Sequence, residues 1–144
     1  MQTTVDEKVQ VFNNIIKIYR ALQRELNRRL GNLNLNYLDF LVLRAVSDGP
    51  KSMISIANRY FVTQASITSS VDKLESIGAV KRTRSKEDRR VILVEITEKG
   101  KEIYDEGIRL YRELVEEILR GMKEEEVKEL LDKLNYVLSR LENI

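Results

Sequence analysis

The segment Val62–Thr97, VTQASITSSVDKLESIGAVKRTRSKEDRRVILVEIT, sets the architecture of this chain. It divides into a capped helix and two strand-like runs joined by a charged loop. Thr63 is a good N-cap, because its hydroxyl can accept a free amide N–H of the first turn. Ile67, Val71 and Leu74 fall at i, i+4 and i+7 and share one buried face. Gly78 sits where a helix ends in a left-handed residue, which glycine adopts without a Cβ clash. The opposite face carries Ala65, Ser69, Asp72 and Ser76, flanked by Ser66, Thr68 and Lys73. Ala79–Arg84 and Val91–Ile96 are rich in β-branched residues and predict two antiparallel strands.

Short side chains on the outer face of this helix let its backbone lie deep in a major groove. Serine and threonine hydroxyls there can reach phosphates or base edges. The same face on an isolated helix reads equally well as ordinary surface. The hairpin that follows shifts the balance. Residues 81–90 hold six basic side chains (Lys81, Arg82, Arg84, Lys86, Arg89, Arg90) against two acidic ones, whereas the whole chain carries 25 − 23 = +2. Affinity for duplex DNA comes mainly from phosphate neutralisation. A narrow tip with paired arginines can enter a minor groove, where the negative potential is enhanced. A charged loop alone is usually solvated surface, but a basic hairpin directly after a capped, small-faced helix is a far more specific combination.

These residues resemble the MarR family of winged-helix transcription regulators, most closely its archaeal members. The pattern is V-T-x-x-x-I-T-x-x-V-D-x-L-E-x-x-G-x-V at Val62–Val80, then D-x-R at Asp88–Arg90, then I-T-x-x-G at Ile96–Gly100. The resemblance covers nearly the whole chain. It implies a recognition helix at Gln64–Ile77 in the major groove, with Arg90 as the wing arginine, Asp88 as its brace and Arg89 as a second contact. The DNA-binding set expected on these grounds is Thr63, Gln64, Ala65, Ser66, Thr68, Ser69, Lys73, Arg84, Lys86, Asp88, Arg89 and Arg90.

A length of 144 residues suits one domain with helical extensions. The sequence contains no cysteine and no histidine. The usual zinc ligand sets and Cys- or His-dependent nucleophiles are therefore unavailable, and neither a metal, a cofactor nor an enzymatic activity is expected. No apolar run of about 18 residues is present to span a membrane, and no signal peptide is recognisable. A cytoplasmic location is the expectation.

Outside the organising segment the pattern is helical. Val5, Val9, Phe12, Ile16, Tyr19, Leu22, Leu26 and Leu30 recur at steps of three or four and predict an amphipathic helix over residues 5–30, ended by Gly31. Asn36 and Asp39 form a variant capping box for a second helix, apolar nearly all round from Leu38 to Val46. Asp48–Gly49–Pro50 stops it. Lys51–Met53 is read as a third short strand, and Ile54–Tyr60 as the first helix of a helix-turn-helix. Thr97 caps a long helix to about Gly121, and a last helix spans Lys123–Leu141. The fold class expected is mainly α with a small β wing: a winged helix-turn-helix with N- and C-terminal dimerisation helices. Residues 1–144 are read as a single domain, with a DNA-binding lobe at 36–97 and dimerisation helices at 1–32 and 98–144.

The terminal helices carry more apolar surface than a small winged-helix core can cover. They pack on each other within one chain, or interleave with those of a second copy. The homodimer is favoured, because two-fold symmetry supplies a second half-site one DNA turn away. The resemblance further implies an effector, a small aromatic carboxylate or phenol, held in a crevice between the dimerisation helices and the DNA-binding lobe. Lys17 and Arg20, i and i+3 on the first helix, could hold its carboxylate. Tyr37 and Tyr111 could stack on its ring. All four equally suit ordinary surface and core-capping roles. The function expected is a sequence-specific dimeric repressor acting on a pseudo-palindromic double-stranded DNA site. The alternative is an architectural DNA binder without sequence choice.

Overall fold

The computed structural model describes residues 3–144, with side chains from Asp6 onward. Val5, expected to start the apolar stripe of the first helix, lies outside the described side chains. The described elements are α1 (Thr3–Leu30), a 3₁₀ turn (Gly31–Leu33), α2 (Tyr37–Val46), β1 (Lys51–Ser52), α3 (Met53–Tyr60), α4 (Gln64–Ser76), β2 (Val80–Arg84), β3 (Ile92–Ile96), α5 (Glu98–Ile118) and α6 (Glu124–Glu142). This is the mainly helical fold with a small wing that the sequence predicts. Differences lie at element ends. Ser52 rather than a later residue caps α3, its hydroxyl accepting from the Ser55 N–H, so β1 is two residues long. Val91 falls outside β3 because its N–H is drawn to the Asp88 carbonyl at 2.9 Å in the wing turn. Helix α5 closes at Ile118, ahead of Gly121, whose φ of +95° is the left-handed stop.

The chain forms two compact units, Met1–Leu110 and Tyr111–Ile144. In the first, α2 is the core. Its Asn36 side chain accepts from Asp39 N–H at 2.9 Å and the Asp39 carboxylate accepts from Asn36 N–H at 3.0 Å, completing the capping box read from sequence. Phe40, Leu41, Val42, Leu43, Ala45 and Val46 are all buried. Around them pack Leu26 and Leu30 of α1, Ile56 and Ala57 of α3, and Ile67, Val71 and Leu74 of α4. The first unit includes the start of α5, which packs closely against α2. Tyr104 stacks on Phe40 at 5.5 Å, and a Cβ at Gly107 would meet the Phe40 ring at 2.8 Å.

The sheet is antiparallel in the order β1-β3-β2. Lys51 pairs with Val94 on one side of β3, and Arg82 pairs with Val94 on the other. Thr97 ties this sheet to α5. Its hydroxyl donates to the Gly78 carbonyl at 2.6 Å and accepts from the Gly100 N–H at 3.0 Å, which makes it the helix cap. Its own N–H reaches the Ala79 carbonyl at 3.0 Å. In the second unit α6 presents Leu130, Leu131, Leu134, Leu138 and Leu141, all exposed in the single chain. In the first unit, Val9, Phe12, Ile16 and Tyr19 of α1 are exposed as well.

Candidate nucleic-acid interface

Helix α4 is held at its start by Thr63, whose hydroxyl accepts from the Ser66 N–H at 3.1 Å. Its inner face is Ile67, Ser70, Val71 and Leu74, all buried. The outer face leaves Gln64, Ala65, Ser69, Asp72 and Ser76 exposed, with Ser66 and Thr68 half-exposed. The Thr68 hydroxyl turns back to the Gln64 carbonyl at 3.0 Å. A strip of small side chains therefore faces solvent along the helix, with no bulky group to keep a groove floor away.

Lys73 departs from its expected place in the free outer set. Its ammonium donates to Asp39 Oδ2 at 2.7 Å, and the Ser70 hydroxyl donates to Asp39 Oδ1 at 2.6 Å. Asp39 is 1% exposed. A buried carboxylate must be paired and hydrogen-bonded to be tolerated, and here three donors converge on it. In the sequence Asp39 reads as a helix cap alone. The missed signal is that a cap occupies only part of a carboxylate, leaving an oxygen in an otherwise apolar helix to be satisfied by some other element.

The six wing cations separate into two groups. Lys81 lies 3.6 Å from Glu95, its partner across the β2–β3 register. Arg82 bonds Asp72 of α4 and lies 3.7 Å from Glu75, which fastens the wing to the helix. Arg84 donates to the Arg89 carbonyl at 2.6 Å and shapes the loop from within. The tip itself is closed by the buried Ser85, whose hydroxyl accepts from the N–H groups of Glu87 and Asp88 at 3.2 and 3.3 Å. Lys86 and Arg89 project from it, exposed, and neither is held by an ion pair among the described residues. Arg90 is 91% exposed at its side chain and is gripped by Asp88 through two guanidinium contacts at 3.1 and 3.2 Å. The Arg90 N–H donates to the same carboxylate at 3.1 Å. These bonds hold the Asp88 carboxyl below its usual pKa. A depressed carboxylate pKa means the brace is present at neutral pH and weakens only as pH falls through that lowered value.

The four residues expected to touch a small ligand are placed as follows. Lys17 and Arg20 lie exposed one turn apart on α1, and Tyr37 is half-buried at the start of α2, its N–H donating to Asn27 Oδ1 at 2.6 Å. Tyr111 is half-buried in the second unit. Among the described residues no group of His, Cys, Asp or Glu could hold a metal ion, and no helix is long and apolar enough to cross a membrane.

A buried helix α2 under a helix-turn-helix, α3–α4, followed by a two-stranded basic hairpin, defines the winged-helix class of DNA-binding transcription regulators. Comparison with known proteins narrows the class. The chain belongs to the MarR-type regulators: the family model described as "Transcriptional regulator SarA/Rot" matches residues 27–106. It is similar to the transcriptional regulator BldR from Sulfolobus solfataricus, 52% identical, with a TM-score of 0.87 over 94% of this chain and 97% of that one. It is also similar to a mutant form of MarR from E. coli, solved in complex with operator DNA, at 25% identity and a TM-score of 0.80 over 92% of this chain and 96% of that one. The HTH-type transcriptional regulator MhqR of Bacillus subtilis (strain 168) is 28% identical over 133 residues, 92% of either chain.

Proposed function

We propose that the protein is a homodimeric repressor that reads a pseudo-palindromic operator with α4 in the major groove and the wing tip in the flanking minor groove. The observation that carries this reading is one unit presenting both elements: the exposed hydroxyl-lined face of α4 and, fastened to it through Arg82, a tip bearing Lys86, Arg89 and Arg90. In this reading residues 36–97 form the DNA-binding lobe. The apolar faces of α1 and α6, within 1–32 and 98–144, are covered by a second copy. The E. coli relative was solved on operator DNA, which supports the same use of the fold here.

The experiment is selection of bound sequences from a random duplex library, followed by affinity against salt. Specific binders exceed their non-specific affinity by about 10³–10⁷, so a ratio near one would assign the architectural reading instead. Arg89→Ala and Arg90→Ala should each weaken binding and flatten the salt dependence by about one unit per lost phosphate contact. Ser69→Ala and Thr68→Ala should change sequence preference more than salt slope. Unchanged slopes in both arginine variants would remove the wing from the interface.

A small aromatic acid is the proposed effector, with Lys17 and Arg20 as the carboxylate-binding pair and Tyr37 as a ring contact. The support is the exposure of both cations on successive turns of α1. Calorimetric titration with salicylate should give binding that Arg20→Ala weakens about tenfold, the loss of one charge-assisted contact. An unchanged affinity in that variant would sink the assignment.

A further inference from the structure

Asp39 stands at the third position of α2, with its carboxylate enclosed by protein. Two of its donors come from one other helix. The Ser70 hydroxyl donates to Oδ1 at 2.6 Å and the Lys73 ammonium to Oδ2 at 2.7 Å. Ser70 and Lys73 are i and i+3 on α4, neighbours on one side of that helix. Ser70 is buried, so it has no access to a groove. Stability does not explain a carboxylate here, because well-packed apolar residues in place of a buried ion pair are often neutral or stabilising. What the carboxylate adds is direction. The apolar contacts of Ile67, Val71 and Leu74 are non-directional, whereas a hydrogen bond holds over a distance range of only about half an ångström.

We infer that Asp39 sets the rotation of α4 about its own axis, and so determines sequence preference without touching DNA. The inference rests on the function proposed above and names what fixes the geometry of its reading helix. Side-chain tips on an α-helix lie about 5–6 Å from the axis, so a turn of about 20° carries a hydroxyl about 2 Å sideways. That exceeds the hydrogen-bond range, so Ser69 would lose a base edge it had bonded. One bond from α4 to α2 would act as a pivot. Two bonds from one helix to the two oxygens of one rigid carboxylate oppose the turn. The inner face thereby fixes the register of the outer one. Asp72, about 200° around the helix from Ser70, is held by Arg82 of the wing, but that pair is exposed and adds little. Lys73, expected from sequence to face DNA, has its charge directed at Asp39 instead.

The test uses Ser70→Ala, Lys73→Met and Lys73→Arg in the full chain, with far-UV circular dichroism as the check of folding. Each protein selects bound sequences from a random duplex library. Ser70→Ala removes one bond to Asp39 from a position that cannot reach DNA, and Lys73→Met removes the other while keeping the stem. Both should select a shifted or broader set of sequences. Both should lose about tenfold in affinity for the duplex chosen by the unaltered protein, the cost of about one mismatched base pair. Their affinity for random duplex and their salt slope should hold, because no phosphate contact is lost. Lys73→Arg keeps a cation for Asp39 and should restore the original preference. An unchanged preference in both Ser70→Ala and Lys73→Met would overturn the inference even if their melting temperatures fell, because a merely structural carboxylate acts on stability alone. A salt slope lower by about one unit in Lys73→Met would also overturn it, by making Lys73 a phosphate contact. Either result leaves the proposed function standing, whereas an unaltered protein with no preference among duplexes would remove that function and this inference together.

Discussion

Replacing Gly100 with alanine should lower the melting temperature by roughly 5–15 °C, as expected for an overpacking cost of about 2–4 kcal/mol in a chain of this size. The position is helical, and alanine is normally the better helix former there. The clash decides the sign. A Cβ at Gly100 would lie 2.0 Å from the Ala79 carbonyl oxygen and 2.9 Å from its carbon. That carbonyl is backbone and cannot rotate aside, and it also accepts the Thr97 N–H. Relief requires the start of α5 to move away from the Gly78–Val80 corner. Such a movement breaks the bond from Thr97 to Gly78 and with it the cap of α5. Gly31→Ala is the control, because no atom lies within 4 Å of its added Cβ. Thermal unfolding followed by circular dichroism should separate the two variants. Equal melting temperatures would mean that the close approach at Gly100 contributes nothing to the fold.

Gly100 illustrates how far the sequence could be read. The I-T-x-x-G spacing is plain in the chain, but its cause is a carbonyl 21 residues away in sequence. Local rules located the elements: three- and four-residue apolar steps marked α1 and α6, and Thr63 and the Asn36–Asp39 box fixed where α4 and α2 begin. Richness in β-branched residues marked the wing. These signals are legible because each depends on neighbours within one or two turns. The site was less legible because charge in sequence is only a count. Six cations in ten residues look alike until tertiary contacts assign Lys81 to Glu95, Arg82 to Asp72 and Arg84 to a carbonyl. Lys73 likewise reads as an outer-face cation until Asp39, 34 residues earlier, claims it.

Those same long-range bonds fasten α4 on two sides. Asp39 holds Ser70 and Lys73 from the α2 side, and Arg82 holds Asp72 from the wing side. Asp39 is buried although the Lys73 side chain is 42% exposed, and leaving a buried acceptor short of a partner costs about 1–3 kcal/mol, so the α2 attachment is expected to be the stiffer of the two. Exposed pairs such as Arg82–Asp72 contribute about 0–1 kcal/mol. The first unit therefore presents helix and wing as one piece, the wing being its softer part. Such a piece makes a single half-site contact, and strong operator binding in the proposed reading depends on a second copy held at a fixed spacing.

The double substitution Leu131→Glu with Leu138→Glu should convert the proposed dimer into monomers. The two side chains lie at i and i+7 on α6 and are 55% and 50% exposed in the single chain. Changing them removes little from the chain's own packing, so helical content should hold. In a dimer that covers this face, the pair would place four carboxylates against an apolar surface. An uncompensated charge there costs several kcal/mol. Each 1.4 kcal/mol is tenfold, so the dimer dissociation constant should rise by about 10³-fold or more. Size-exclusion chromatography with light scattering at micromolar protein should then report the mass of one chain. Binding to a pseudo-palindromic duplex should fall to the affinity of an isolated half-site, because the two half-site contacts are no longer linked. Tyr136→Glu is the companion variant: Tyr136 is 66% exposed and lies off the leucine stripe, about 140° around the helix from Leu131. It should leave mass and affinity unchanged. A double variant that still elutes as a dimer would show that the leucine face of α6 is not what joins the copies.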